Sequence, residues 1–220
     1  MRVEIWSDVV CPWCYLGKRR FERALDSFAH RDQVEVTYRS FELDPSAPKD
    51  RTTPTAAMLA GKYGMTAEQA ADAQRQMEQR AAQDGLTFGM GELRSGNTRD
   101  AHRLLQLAKD AGRQAELIER LHRGYFTDQM SIFDQAALAE LAVDAGLDTD
   151  DVAKVLASDE YEPEVETDEA MAQTLGVTGV PFFVIDRRYA FSGAQPAEAM
   201  SQLLDEVWAQ EHVQQSPGEG

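Results

Sequence analysis

Residues 2–9, RVEIWSDV, set β-branched and aromatic side chains in partial alternation with polar ones and contain no helix breaker, which predicts a strand. From Pro12 the period lengthens: Tyr15, Leu16, Phe21, Leu25 and Phe28 recur at helical spacing, with Lys18, Arg19, Arg20, Glu22 and Arg23 expected on the solvent side. Alternation returns in QVEVTYRSFEL, residues 33–43, where Val34, Val36, Tyr38 and Phe41 mark a second strand. Beyond the proline-containing DPSAPKDRTTP the composition is helical for about a hundred residues, enough for several helices of ordinary length. Six segments stand out there: AAMLAGKYG, AEQAADAQRQMEQRAAQDG, TRDAHRLLQLAKDAG, QAELIERLHRGYFTD, DQAALAELAVDAG and DDVAKVLAS. Most end at glycine or a polar turn, and Thr66 and Asn97 are candidate N-caps. The β pattern resumes in VPFFVID (180–186) and RYAFSG (188–193), with Asp186, Arg187 and Arg188 at a hairpin turn. An amphipathic helix, AEAMSQLLDEVWAQ, and a polar tail from Val213 close the chain.

This order predicts an α/β fold. The first helix makes the first two strands parallel neighbours, the final hairpin extends the sheet, and the helical block, too long for a loop, forms a cap beside it. The expected division is residues 1–44 and 177–212 for the α/β part, 45–176 for an all-helical insertion, and 213–220 for a flexible tail.

The chain has 22 basic and 38 acidic residues, a formal net charge of −16, which opposes binding to nucleic acid or to an anionic membrane. Thirteen of the acidic residues lie between Asp134 and Ala170 against a single Lys154, and are expected on a solvated helical face. No apolar run is long enough to span a bilayer, and Glu4 interrupts the short apolar start before a signal-peptide core could form; the expected location is the cytoplasm, with Met1 a natural start.

Only two cysteines occur, Cys11 and Cys14, in DVVCPWCYLG at the strand-to-helix junction. The first turn of a helix offers unpaired N–H groups and the positive end of the peptide dipoles, both of which favour a thiolate. Pro12 suits the first helical position, since its fixed φ matches the helix and its missing N–H is not needed. One helical turn brings Cys14 near the sulfur of Cys11, so Cys11 attacks and Cys14 resolves. A purely stabilising disulfide would close only a tiny loop in a cytoplasmic setting. A structural zinc site is excluded by the lack of a second Cys or His pair, because His30, His102, His122 and His212 are dispersed. Inert buried cysteines remain the competing reading.

In TGVPFFVID, Pro181 opens a strand and Val180 is biased to extended geometry. A cis Val180–Pro181 bond beside the cysteines would free the Val180 backbone to pair with an extended substrate segment. Pro12 and Trp13, between the sulfurs, complete the expected substrate contacts. Trp13 brings no cation to the Cys11 thiolate, which predicts a mild oxidant. The segment Asn97, Thr98, Arg99, Asp100, His102 and Arg103 could place polar groups over the thiols, with His102 moving a proton, although capping by Asn97 accounts for it equally well.

SDVVCPWCYLGKRRFE, SGNTRDAHRL and TGVPFFVID together resemble the DsbA-like thioredoxin family over about residues 2–210, in particular its FrnE-type branch, grouped with 2-hydroxychromene-2-carboxylate isomerases and kappa-class glutathione transferases. The resemblance implies a thioredoxin fold with a large all-helical insertion domain and a thiol-disulfide oxidoreductase or isomerase, with Cys11 as nucleophile, Cys14 as resolving thiol and Pro181 as the cis-proline. It implies no bound cofactor; glutathione or another thiol is the redox partner, and the substrate is a disulfide-containing or thiol protein, or glutathione itself. The alternative it leaves open is a glutathione-dependent isomerase of an aromatic or polyketide substrate. The glutathione-dependent members look like they carry serine where this chain has Cys11.

Overall fold

The central strand is recognisable from burial alone, because β1 (Arg2–Ser7) is covered on both faces. Val3 and Ile5 enter the main hydrophobic cluster, while Trp6 on the opposite face packs with Ala172, Val177 and Val184. These relations come from a computed structural model that describes residues 1–213. α1 (Pro12–Ser27) connects β1 to β2 (Glu35–Ser40), and the two strands pair in parallel from Arg2↔Glu35 to Ser7↔Ser40. On its other edge β1 pairs antiparallel with β5 (Phe182–Ile185), which pairs in turn with β6 (Tyr189–Ser192), so the sheet runs β2-β1-β5-β6. The three-residue β5–β6 connection, Asp186 to Arg188, has φ of 49° at Asp186 and 56° at Arg187, left-handed backbone held by two residues other than glycine. Asp186 is fixed there by accepting the Arg2 N–H on its carboxylate at 2.6 Å.

Between β2 and β5 lie β3 (Thr53–Pro54), α2 (Thr55–Tyr63), α3 (Ala67–Gln83), β4 (Arg94–Ser95), α4 (Arg99–Asp110), α5 (Gln114–Phe126), α6 (Gln135–Asp144), α7 (Thr149–Leu156) and α8 (Glu162–Thr174); α9 (Ala197–Val213) closes the described chain. Thr66 caps α3 in a reciprocal capping box with Gln69. Thr98, not Asn97, is the N-cap residue of α4; Asn97, one residue earlier, accepts the Arg99 N–H on its side-chain oxygen at 3.0 Å. The two-residue pair β3–β4 and helix α8 are additional to the elements read from the pattern. α8 is hard to see because acidic residues fill it and it buries only Val165, Asp168 and Ala172. One hydrophobic cluster runs from Val3, Ile5 and Phe183 of the sheet through Leu16 and Phe21 of α1 to Leu104, Leu117, Leu141 and Val152 of the helices. The expected tail, residues 213–220, lies outside the described residues except for Val213, the last residue of α9.

Two expectations about charge need correction. Lys18 is 3% exposed rather than solvent-facing, because α5 covers it and supplies Glu119, whose carboxylate accepts from its Nζ at 2.5 Å alongside Glu22 at 2.6 Å. The acidic face is not wholly solvated either. Asp168 is buried, and Glu162 and Glu169 turn toward Arg99.

Asp168 ties four elements together. Its carboxylate accepts from Arg39 Nη1 at 2.9 Å, the Ser40 N–H at 3.0 Å and Gln106 Nε2 at 2.7 Å, while its carbonyl accepts the Trp6 indole N–H at 2.9 Å. Removing a carboxylate of this kind leaves a buried cation and buried donors unsatisfied, so Asp168→Ala is expected to cost about 3–5 kcal/mol, read as a lower urea midpoint at unchanged slope. A loss no larger than that of an exposed substitution such as Glu164→Ala would contradict the hub.

Candidate active site

The loop from Asp8 to Val10 turns the chain out of β1, and the Cys11 N–H donates to the Asp8 carbonyl at 3.1 Å to close it. Cys11 is the N-cap of α1 in extended geometry, Pro12 takes the first helical position, and the Cys14 and Tyr15 N–H groups donate to the Cys11 carbonyl at 3.0 and 3.3 Å. The Cys11 side chain makes no capping bond among the described residues. Its sulfur instead donates to the Val180 carbonyl at 3.6 Å, across the interval between the two ends of the chain.

Both cysteines are free thiols, Cys11 4% and Cys14 2% exposed, and neither belongs to a hydrophobic cluster. Burial pushes the Cys14 thiol well above its ordinary range, and the neighbouring Cys11 sulfur adds to this. The Ser7 hydroxyl and the Asp8 backbone N–H, both directed at the Cys14 sulfur, act in the opposite sense.

The structure brings the six sequence-derived site residues into one place. Val180 meets Cys11 through its carbonyl, and the Val180–Pro181 peptide bond is cis. Pro181 packs against α1 at Gly17 so tightly that a Cβ on Gly17 would lie 2.8 Å from the Pro181 ring. Trp13 is 40% exposed beside the half-buried Pro12, with the Arg80 guanidinium of α3 5.4 Å from its ring centroid.

The segment 97–103 does not roof the thiols. Asn97 and Thr98 belong to the start of α4, and Arg99 is held by Glu42, Glu162, Glu166 and Glu169. Arg103 is buried, bonding the carbonyls of Val155 and Glu160 and the carboxylate of Asp100. His102 alone points to the cysteine loop, from behind: it is 1% exposed and its Nε2 lies 3.3 Å from Asp8 Oδ1.

Ser7, Asp8 and His122 were not singled out in the sequence. Asp8 opens DVVCPWCYLG, but only the fold shows that it is 1% exposed, with its second carboxylate oxygen accepting the Leu43 N–H at 2.8 Å. A carboxylate between an apolar strand and a cysteine is a usable signal, since a polar group there must be buried with partners. His122, from α5, is fully buried and stacks on Tyr15 with centroids 4.9 Å apart. Neither of its ring nitrogens has a hydrogen-bond partner among the described residues. Burial and the nearby Lys18 charge push it down to about 3, against the pull of Glu119 and Asp8. Among the described residues no helix is long and apolar enough to cross a membrane.

A family model described as the DSBA-like thioredoxin domain matches residues 2–205. A probable DsbA oxidoreductase from Streptomyces coelicolor superposes with a TM-score of 0.92 at 50% identity, covering 100% of this chain and 93% of that one. Two more distant structures share the fold. A 2-hydroxychromene-2-carboxylate isomerase has a TM-score of 0.72 at 14% identity, covering 98% of this chain and 100% of its own. The cytosolic disulfide reductase DsbM from Pseudomonas aeruginosa, solved with GSH, has a TM-score of 0.61 at 16% identity, covering 94% and 99%.

Gly17→Ala should test the contact that holds the two halves of the site together. Alanine in a helix interior ordinarily gains about 1 kcal/mol over glycine. Against the Pro181 ring, overpacking should turn that into a loss of about 1–2 kcal/mol in urea unfolding, with slower alkylation chemistry at Cys11 as the turn is displaced. A net stabilisation would show that the turn yields freely.

His122 has a folded-state value below its unfolded one, so its contribution to stability is complete above about pH 6.5 and is lost as the unfolded chain takes up the proton between there and about pH 3. In that window it adds a slope of about 1.4 kcal/mol per pH unit. His122→Phe, which keeps the ring on Tyr15, is expected to flatten acid unfolding by that slope; an unchanged pH profile would contradict a buried neutral imidazole.

Proposed function

We propose that this chain, which belongs to the DSBA-like thioredoxin domain family, is a thiol-disulfide oxidoreductase in which Cys11 is the nucleophile and Cys14 the resolving thiol. Membership of a DsbA-like oxidoreductase family supports redox chemistry in general. The observation that carries the specific reading is the position of the Cys11 sulfur: it stands at the start of α1, spends no bond on capping it, touches the Val180 carbonyl, and has the Cys14 sulfur as its neighbour.

The Cys11 thiolate attacks one sulfur of a substrate disulfide. That S–S bond breaks, a Cys11–substrate bond forms, and the released thiolate takes a proton from solvent. Cys14 then loses its proton and attacks Cys11, closing the Cys11–Cys14 disulfide and expelling the second substrate sulfur, which takes up a proton. Two electrons pass from the dithiol to the substrate. The burial of Cys14 suits this order, because it favours the protonated thiol until the mixed disulfide has formed.

When Cys11 ionises it no longer donates to the Val180 carbonyl, which is then available to an N–H of an extended substrate segment beside the cis-proline, Pro181. Pro12 and Trp13 supply the apolar floor. The substrate is a disulfide-containing or thiol protein, or glutathione, and glutathione or another thiol restores the dithiol. The reading sets the enzyme in the cytoplasm, reducing or isomerising disulfides, and draws support from a cytosolic reductase of the same fold.

Insulin-disulfide reduction and titration against glutathione, run on wild type, Cys11→Ser and Cys14→Ser, test this. Cys11→Ser should abolish turnover, and Cys14→Ser should accumulate the mixed disulfide. The Pro12-Trp13 dipeptide brings no cation, so the potential should be more reducing than DsbA's, near −120 mV. Activity that needs added glutathione and survives Cys14→Ser would overturn the proposal in favour of the glutathione-dependent isomerase.

A further inference from the structure

A buried charge cluster that the disulfide cycle does not use reaches the cysteine loop through Asp8. Asp8 is held on three sides: Oδ1 faces His102 Nε2 at 3.3 Å, Oδ2 accepts the Leu43 N–H, and its carbonyl accepts the Cys11 N–H. Its own N–H is directed at the Cys14 sulfur. His102 behind it is fully enclosed, yet its Nδ1 has no hydrogen-bond partner among the described residues. The same holds for Oε1 of Glu42, a buried carboxylate whose charge acts on His102 and whose Oε2 accepts from Arg99. A buried polar atom without a partner is an exception that calls for an explanation. This one has the Asp8 carboxylate at Nε2, feels the charge of a second buried carboxylate, Glu42, and leaves Nδ1 unsatisfied among the described residues.

We propose that His102 is a positioning residue for the resolving step: it braces Asp8 against the cysteine loop, and its charge sets how readily Cys14 attacks the mixed disulfide. This rests on the oxidoreductase reading above. The charged groups that act on it are Asp8 from the loop after β1, Glu42 from the segment after β2 and Glu169 from α8; Arg99 of α4 itself holds Glu42 and Glu169, and the Asp8 charge is also felt by His122 and Tyr125 of α5. Burial works against the protonated imidazole, but the Asp8 bond and the charges of Asp8, Glu42 and Glu169 more than offset it, so His102 holds its proton to a higher pH than usual. While it is protonated, the Asp8 charge is compensated and a Cys14 thiolate forms beside a neutral pair. As pH rises through the His102 value, that compensation disappears and the Asp8 carboxylate opposes the thiolate.

Oxidised glutathione is a sufficient probe, since the Cys11–glutathione disulfide and its loss can be followed by acid quench and mass. In wild type, the resolution rate should climb with pH and then bend toward a plateau above the ordinary imidazole range. His102→Gln should lose the bend and resolve about ten-fold more slowly on the acid side, the factor of one pKa unit on Cys14. Glu42→Gln, which removes a charge that keeps His102 protonated, should move the bend to lower pH and decides the matter if His102→Gln does not fold. Superimposable profiles for wild type and the folded variants, with mixed-disulfide formation intact, would overturn the inference. Failure of Cys14→Ser to trap any mixed disulfide would instead defeat the oxidoreductase reading on which it rests.

Discussion

Everything distinctive about this chain depends on the first turn of α1 being pressed against the turn at Val180–Pro181. The contact is made from both sides: a hydrogen bond from the Cys11 sulfur to the Val180 carbonyl, and bare backbone at Gly17 where the Pro181 ring lies. It joins residues nearly 170 positions apart, and the sheet makes it possible. β1 and β5 are adjacent antiparallel strands, so the C-terminal end of β1, which leads to the cysteines, lies beside the N-terminal end of β5, which follows the proline. A glycine on that face of α1 loses helix propensity locally and gains a close approach that no other residue allows.

The helical segment contributes more than cover. Lys18 is buried because α5 offers Glu119; Tyr15, one residue beyond Cys14, is stacked on His122 and accompanied by Phe88 and Phe126. Asp8 is held by a histidine of α4. The buried side of α1 thus meets α5 through both an ion pair at Lys18 and stacked rings at Tyr15, and meets the sheet through Phe21 and Phe183. Buried ionisable groups of this kind are costly unless paired, and here nearly every one is paired with a residue distant in sequence.

That distance explains what could and could not be read from the sequence. The alternating runs gave β1, β2, β5 and β6 in their order and the turn at Asp186–Arg187, because period and turn chemistry are local. The cysteine pair was legible for the same reason, since its meaning lies in its place between a strand and a helix. Lys18 looked like a surface residue because its helix alone carries no hint of Glu119. Asp8 and His122 were silent because only tertiary packing makes a carboxylate or an imidazole unusual. α8 was obscured by its own charge, which local pattern assigns to water and the fold partly assigns to Arg39, Ser40 and Arg99.

The continuous cluster from the sheet into the helices has a consequence for how the thiols are guarded. With Leu16 of α1 and Leu117 of α5 in the same apolar mass as Val3 and Phe183, the helices have no independent core on which to swing aside. Large electrophiles aimed at Cys14, 2% exposed and one helical turn beyond Cys11, must therefore wait for the turns at Cys11 and Val180–Pro181 to part, and the modification rate of that sulfur becomes a clock for that opening.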